Sequence, residues 1–275
     1  MSKDWLCVFI GDLHVLSHTG LVIPGSPIKS ADNRPYSASP RQEWLYRCWR
    51  NLQSEVERLS DNFYIALMFG GDGIDGPGHH RTKQTFGNAH DARKMTCELL
   101  FPFVQVASAK YGLTGTDAHV GEGGEEDVSV ADELNLDVRE AWELEFDGKK
   151  LLWAHDCVKV GQKRNTIDNG MISMAKDISD ECAYDPTRFR PDLIVGHHVH
   201  RSPKEVTVRG ITVVPVGCWQ LATPWAMSKF PFKSVDVGAM FWKPSTHKVH
   251  RHLYAQVRQP VVVQKPIKAY DTPKR

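Results

Sequence analysis

The sequence predicts an α/β fold built on mixed sheets, and three observations carry that prediction. Short apolar runs recur along the chain, at Trp5–Ile10, Phe63–Phe69, Leu151–Ala154 and Asp192–Val195, each followed at once by Gly, Asp or His. Runs of this length suit strands buried on both faces, as in sheets covered by helices. Between them lie segments with apolar residues at three/four spacing, the mark of a helix with one buried stripe. The later part carries two hairpin signals, Asp147-Gly148 and Arg209-Gly210, each flanked by β-forming residues.

Taken in order, the elements are as follows. Trp5–Ile10 runs into Gly-Asp-Leu-His, and Gln42–Leu59 then places Trp44, Leu45, Cys48, Trp49, Leu52, Val56 and Leu59 on one helical stripe. Phe63–Phe69 is a second strand, ending in Gly-Gly-Asp. Asp91–Lys110 predicts a helix that Pro102 should kink or split, because proline lacks the N–H the helix needs. Trp142–Phe146 and Lys150–Trp153 form the first hairpin. Met171–Cys182 is a weaker helical pattern before the strand at Asp192–Val195. Val206–Val208 and Ile211–Val216 form the second hairpin, and Val237–Trp242 with Val249–Val257 predict a further sheet. No repeat or linker interrupts the chain, so one domain over residues 1–258 is expected, with an extended basic tail at 259–275.

Composition narrows the function classes. The chain has 275 residues, 41% hydrophobic and 24% charged, enough to bury a core and too apolar for a disordered protein. The formal charge is only +1, so no global field draws it to nucleic acid or membrane. No apolar run approaches the ~18 residues a membrane span requires. The opening run is too short for a secretory core, and a cytoplasmic location is expected. The six cysteines show no Cys-x-x-Cys pair, so buried free thiols are expected rather than a zinc ribbon or disulfide framework.

The 13 histidines are informative through their placement. In α/β sheets, ligands bind beyond the carboxyl ends of the strands. Asp12 and His14 follow the first strand, two apart, which in extended chain turns both to one side. Asp72 follows the second strand, His155 the third, and His198 and His200 the fourth, again two apart. Carboxylate oxygen with neutral imidazole and no thiolate suits Zn, Mn, Fe or Ni. Six such donors exceed one tetrahedral site and suit two ions ~3.5–4 Å apart sharing a carboxylate, an arrangement used to hydrolyse phosphoesters. The loop Gly71-Asp72-Gly73-Ile74-Asp75-Gly76 also satisfies Gly-x-Gly-x-x-Gly. Its two carboxylates and the lack of a convincing following helix argue against a dinucleotide site, leaving Asp75 as structural.

Gly11-Asp12-Leu13-His14, the Gly71–Gly76 loop, His155 and His198-Val199-His200 resemble, in order and spacing, the signatures of calcineurin-like metallophosphoesterases. The stretches 115–121, 191–195 and 215–221 are similar to phage- and prophage-encoded members. The resemblance implies a four-layer α/β/β/α sandwich with two mixed β-sheets. It also implies two divalent ions, with Mn2+ favoured and Zn2+, Fe or Ni2+ compatible. Asp12, His14 and His200 would hold the first, Asp72 would bridge, and His155 and His198 would hold the second. The substrate implied is a phosphoester, with a phosphodiester, nucleotide, DNA or RNA favoured and the cytoplasm (the host's, for a phage-encoded protein) as the location.

Two departures stand out. His197 occupies the place of a glycine before His-x-His, as a neighbour of the ligands rather than one of them. The family's Gly-Asn-His-Asp/Glu is replaced by Gly115-Thr116-Asp117-Ala118-His119. His119 is expected as the acid for the leaving group. Either Thr116, in the Asn position, or Asp117, the better oxygen donor, would complete the second ion. That irregularity leaves open a metal-binding or nucleic-acid-binding protein of the same fold without useful turnover, and the ligand set would also serve an amide hydrolase. His79, His80, Arg81, Lys83, Lys159, Lys163 and Arg164 are candidate phosphate contacts.

Overall fold

In the computed structural model, β1 (Asp4–Ile10) and β2 (Phe63–Phe69) pair in parallel over their full length. The helix between them, α1 (Pro40–Ser60), begins where Ser39 accepts from the Gln42 N–H while the Gln42 side chain returns to the Ser39 N–H, with Pro40 at the first helical position. Its stripe of Leu45, Cys48, Trp49, Leu52 and Val56 is buried. The structure describes residues 3–29, 34–76, 88–161, 166–223, 227–228 and 235–255.

The crossover repeats. β2 leads through α2 (Ala89–Val106) to β3 (Ala107–Leu113). β3 leads through α3 (Asp117–Val120) and α4 (Glu125–Leu134) to β4 (Asp137–Arg139). All of these strands pair in parallel. The second sheet holds β5 (Ala141–Phe146), β6 (Lys149–Ala154), β7 (Leu193–Gly196), β8 (Val206–Val208) and β9 (Ile211–Pro215), with α5 (Asn169–Tyr184) crossing from β6 to β7. β10 (Val237–Lys243) and β11 (Lys248–Tyr254) return to the first sheet. The strand orders are β11-β10-β1-β2-β3-β4 and β5-β6-β7-β9-β8, both with parallel and antiparallel pairs.

Three buried clusters fill three interlayer spaces. One joins α1, α2 and α4 to the first sheet through Trp49, Leu52, Leu100, Phe103, Val130, Ile10 and Phe69. A second lies between the sheets: Phe9, Met68 and Trp242 meet Trp142, Trp153 and Val195. A third seats α5 on the second sheet through Met171, Ala175, Ile194 and Val213. The architecture is therefore a four-layer α/β/β/α sandwich with two mixed sheets, as expected from the sequence.

Some element expectations fail. The helix expected over Asp91–Lys110 stops at Val106, and Ala107 turns directly into an extended strand. That strand carries few apolar residues because only Gly112 and Leu113 are fully buried, so it showed no apolar run. Pro102 does not split the helix, which continues through it. The last two strands form no further sheet. β10 pairs antiparallel with the open edge of β1, Cys7 opposite Trp242, and β11 pairs with β10 as far as Tyr254. Helix α4 has no counterpart among the helical patterns of the sequence. All six cysteines are free thiols, five of them buried. Among the described residues no helix is long and apolar enough to cross a membrane. The tail at 259–275 lies outside the described residues.

The inter-sheet cluster should be the least forgiving part of the fold. Trp153 is fully buried and meets Phe9 edge-to-face at 5.8 Å, joining the two sheets. Trp153→Ala is expected to destabilise the chain by ~3–5 kcal/mol in denaturant unfolding; a loss below ~1 kcal/mol would contradict this packing.

Candidate metal centre

Six loops converge on one edge of the sandwich, each leaving the carboxyl end of a parallel strand. β1 delivers Asp12 and His14, β2 delivers Asp72, β3 leads to Thr116 and His119, β6 delivers His155, and β7 delivers His197, His198 and His200. β9 leads to Trp219, whose N–H donates to the Asp12 carbonyl at 2.9 Å. The β1 and β2 loops keep bonding past their strands, with Asp12 N–H to Gly71 O, His14 N–H to Asp72 O and Val15 N–H to Gly73 O, all 2.9–3.0 Å.

The donors face each other. His14 Nε2 lies 3.0 Å from His200 Nε2, 3.9 Å from Asp12 Oδ1 and 4.0 Å from Asp72 Oδ2. His200 Nε2 is 3.3 Å from Asp12 Oδ1. His155 Nε2 is 3.1 Å from Asp72 Oδ2, while its Nδ1 donates to the Gly70 carbonyl at 2.6 Å. That bond fixes which ring nitrogen faces the site, as the partners of metal-ligating histidines do. Three groups of donors could each hold a cation: Asp12, His14 and His200; Asp72, His155 and His198; and His14, Asp72 and His119. Asp12, His14, Asp72, His155, His198 and His200, six of the residues expected as ligands from the sequence, are thus brought together.

How they converge differs from expectation. Neither pair separated by one residue lies in extended chain. Asp12, His14, Asp72, His198 and His200 have φ of 52°, 46°, 50°, 65° and 51°, a region that side chains adopt at a cost. Around His198 the Val199 N–H reaches the His197 carbonyl at 2.7 Å, a three-residue turn of the strained kind. The loops, not the pleat of a strand, aim these side chains.

Asp12, His14 and Asp72 are wholly buried, and His155 nearly so. Burial alone would raise the Asp12 carboxyl, but His197 and His200 beside it hold it well below the usual range. Asp72 is likewise held low against burial, mainly by His155. Burial disfavours the His155 charge, yet Asp72 raises its pKa to about 10. His14 is pushed the other way, to about 3, by burial and by His200. The centre therefore sets two buried carboxylates against several imidazoles. Imidazole nitrogens and carboxylate oxygens gathered within ligand distance of one another fit divalent cations, and the buried His198 Nδ1 and His14 Nδ1 have no hydrogen-bond partner.

Thr116 sits on Asp72: its N–H donates to Asp72 Oδ1 at 2.8 Å, and its hydroxyl lies 3.3 Å from the same oxygen. Asp117 does not join the cluster. It is exposed, and its Oδ1 accepts from the Gly123 N–H at 3.2 Å, closing the turn after α3. His119 meets His14 edge-on, with ring centroids 4.5 Å apart. Lys159 pairs with Asp156 on the surface. His79, His80, Arg81, Lys83, Lys163 and Arg164 lie outside the described residues.

Two carboxylates were missed as parts of the site. Asp75 is fully buried, and its Oδ1 lies 2.8 Å from His119 Nδ1, so it orients that ring. The second carboxylate of the Gly71–Gly76 loop was its only sequence signal. Asp127, also fully buried in the first turn of α4, accepts the N–H groups of Asp72 (2.8 Å), Gly73 (3.0 Å) and Gly115 (2.9 Å). Burial and the charge of Asp72 push its pKa up to about 7. Nothing singled it out among the acidic residues around it.

No protein-family model matches the sequence, and no curated protein matches it. Among solved structures the chain is similar to an archaeal phosphodiesterase, at 9% identity and a TM-score of 0.43 over 90% of this chain and 99% of that one. It is also similar to Vps29 from Chaetomium thermophilum, at 11% identity and 0.43 over 88% and 83%. A third likeness is to a dimetal phosphatase from Danio rerio, at 8% identity and 0.36 over 87% and 93%.

Asp127→Asn tests the support of the Asp72 loop. One carbonyl oxygen cannot replace both carboxylate oxygens, and the new amide would point N–H groups at a peptide N–H. A loss of about 1–3 kcal/mol is expected in chemical denaturation, the cost of buried donors left unpaired. Unchanged stability would show that these three N–H groups find other partners.

Proposed function

We propose that the chain is a metal-dependent phosphoesterase that works with two divalent ions, Mn2+ favoured. The observation that carries this is the pair of donor groups Asp12–His14–His200 and Asp72–His155–His198, drawn from both sheets into one buried centre with His14 and Asp72 facing each other across it. Two such ions, when bound, supply Lewis acidity to a phosphoryl oxygen and bring the pKa of a water towards ~7.

The chain's own residues supply the rest. His155 donates from Nδ1 to Gly70 O, which turns its Nε2 to the centre. Thr116 and Asp127 hold the Asp72 carboxylate and its backbone in place. Asp75 orients His119 through Nδ1, which leaves Nε2 to carry a proton to the departing oxygen. A phosphodiester, nucleotide or nucleic acid is the favoured substrate, on the likeness of residues 115–121, 191–195 and 215–221 to phage-encoded members.

Asp72→Ala and His198→Ala are expected to abolish Mn2+-dependent hydrolysis of bis(p-nitrophenyl) phosphate and to lower the metal content of the purified protein. His119→Ala is expected to lower kcat by ~10²–10⁴-fold with metal content intact. Full turnover in Asp72→Ala would overturn the proposal. Two ions per chain with no hydrolysis of any phosphoester in a panel of single-stranded DNA, nucleotides and monoesters would point to a binding protein instead.

A further inference from the structure

His197 is the one imidazole of the cluster that belongs to none of the three donor groups, and it is completely buried. Its ring occupies space left by two glycines. A methyl group built on Gly11 would come within 2.8 Å of His197 Nδ1, and one on Gly70 would overlap the ring. Neither ring nitrogen has a hydrogen-bond partner. Leaving such a group unpaired in the interior is costly, so a space-filling role alone would favour a hydrocarbon side chain.

The polar neighbour of this ring is Asp12. His197 Nδ1 lies 3.4 Å from Asp12 Oδ2, close enough for attraction but off the line of a good hydrogen bond. The other oxygen, Oδ1, faces His200 and His14. His197 thus approaches Asp12 from behind, on the side away from the donor group. The His198 N–H, next along the chain, reaches both oxygens at 3.2 and 3.3 Å. The adjacent Trp153 ring, centroids 6.2 Å apart, bounds the ring on the core side.

We propose that His197 is a positioning residue for Asp12: a proton on Nδ1, 3.4 Å from Oδ2, attracts that oxygen electrostatically from behind, so that Oδ1 is presented to the cation shared with His14 and His200. This rests on the metal reading of that group. Partners of ligating carboxylates change metal affinity by ~10–100-fold when removed, and that is the effect expected here.

The test is calorimetric titration with Mn2+ in a His119→Ala/His155→Ala background, which of the three donor groups leaves only Asp12–His14–His200 intact. His197→Leu, of similar size without a donor, is expected to weaken Mn2+ binding by ~10–100-fold, with the metal-free unfolding midpoint held or raised. His197→Asn, which keeps an N–H near Nδ1, is expected to stay within a few-fold of the parent. Equal loss in both variants, or parental affinity in His197→Leu, overturns the proposal. A measurement on the native chain covers the case in which the variants do not fold: ¹⁵N shifts should place the His197 proton on Nδ1, and a proton on Nε2 alone overturns it. If the native chain binds none of Mn2+, Zn2+, Fe2+ or Ni2+, the metal reading fails, and this role with it. Parental affinity in His197→Leu defeats this role only.

Discussion

Asp12 and Asp72 are withdrawn completely from water, and the centre is organised around keeping them charged. Burying an ionised carboxylate costs several kcal/mol unless donors and opposite charges replace the lost hydration. Asp12 receives the His198 N–H and the flank of His200. Asp72 receives His155 and the Thr116 N–H. The backbone around Asp72 is held in turn by Asp127, so one buried carboxylate supports the loop that carries another. Burial, and then repulsion from Asp72, raises the Asp127 pKa, which is the electrostatic cost of that arrangement. Few substitutions at these positions keep both the charge balance and the donor count.

The same constraint accounts for the backbone. Left-handed φ at a non-glycine residue costs of order 1–3 kcal/mol, least for Asn, Asp and His. Asp147 and Arg209 adopt it in two-residue hairpin turns, where strand twist favours it. Asp12, His14, Asp72, His198 and His200 adopt it with no hairpin to explain it. The strain is concentrated in the residues that aim at the centre, held there by the ladder of peptide bonds between the β1 and β2 loops. It also explains why short polar side chains stand at each of these turns.

Much of this was legible in the sequence, for a physical reason. Strands buried on both faces must be apolar throughout, so Trp5–Ile10 and Phe63–Phe69 announce themselves, and the Asp and His that follow break the apolar run and require polar partners. β3 was not legible, because Ala107–Leu113 lies half-covered and imitates the end of the preceding helix. The partners of the donors were harder still. Asp75 and Asp127 act through hydrogen bonds across 44 and 55 residues, and no local pattern distinguishes such a carboxylate from a solvated one. Asp117 misled in the opposite sense. As a metal ligand its oxygen is better than that of Thr116, but it opens the short helix α3, where its carboxylate closes a turn on Gly123 while the residue before it points inward.

The centre draws on both sheets, which ties its geometry to the packing between them. Asp12, His14, Asp72 and His119 leave strands of the first sheet, and His155, His198 and His200 leave strands of the second. The contacts that join the two sets, 3.0 Å between His14 and His200 and 3.1 Å between His155 and Asp72, leave little slack. Their length is set by Phe9, Trp153 and their neighbours below, an interior packed too densely to deform without loss. Misplacing reacting groups by about 1 Å can cost ~10²-fold in rate. A change of volume in the inter-sheet core therefore acts on the centre by changing the spacing of the two sheets. Stability and site geometry depend on the same aromatic layer.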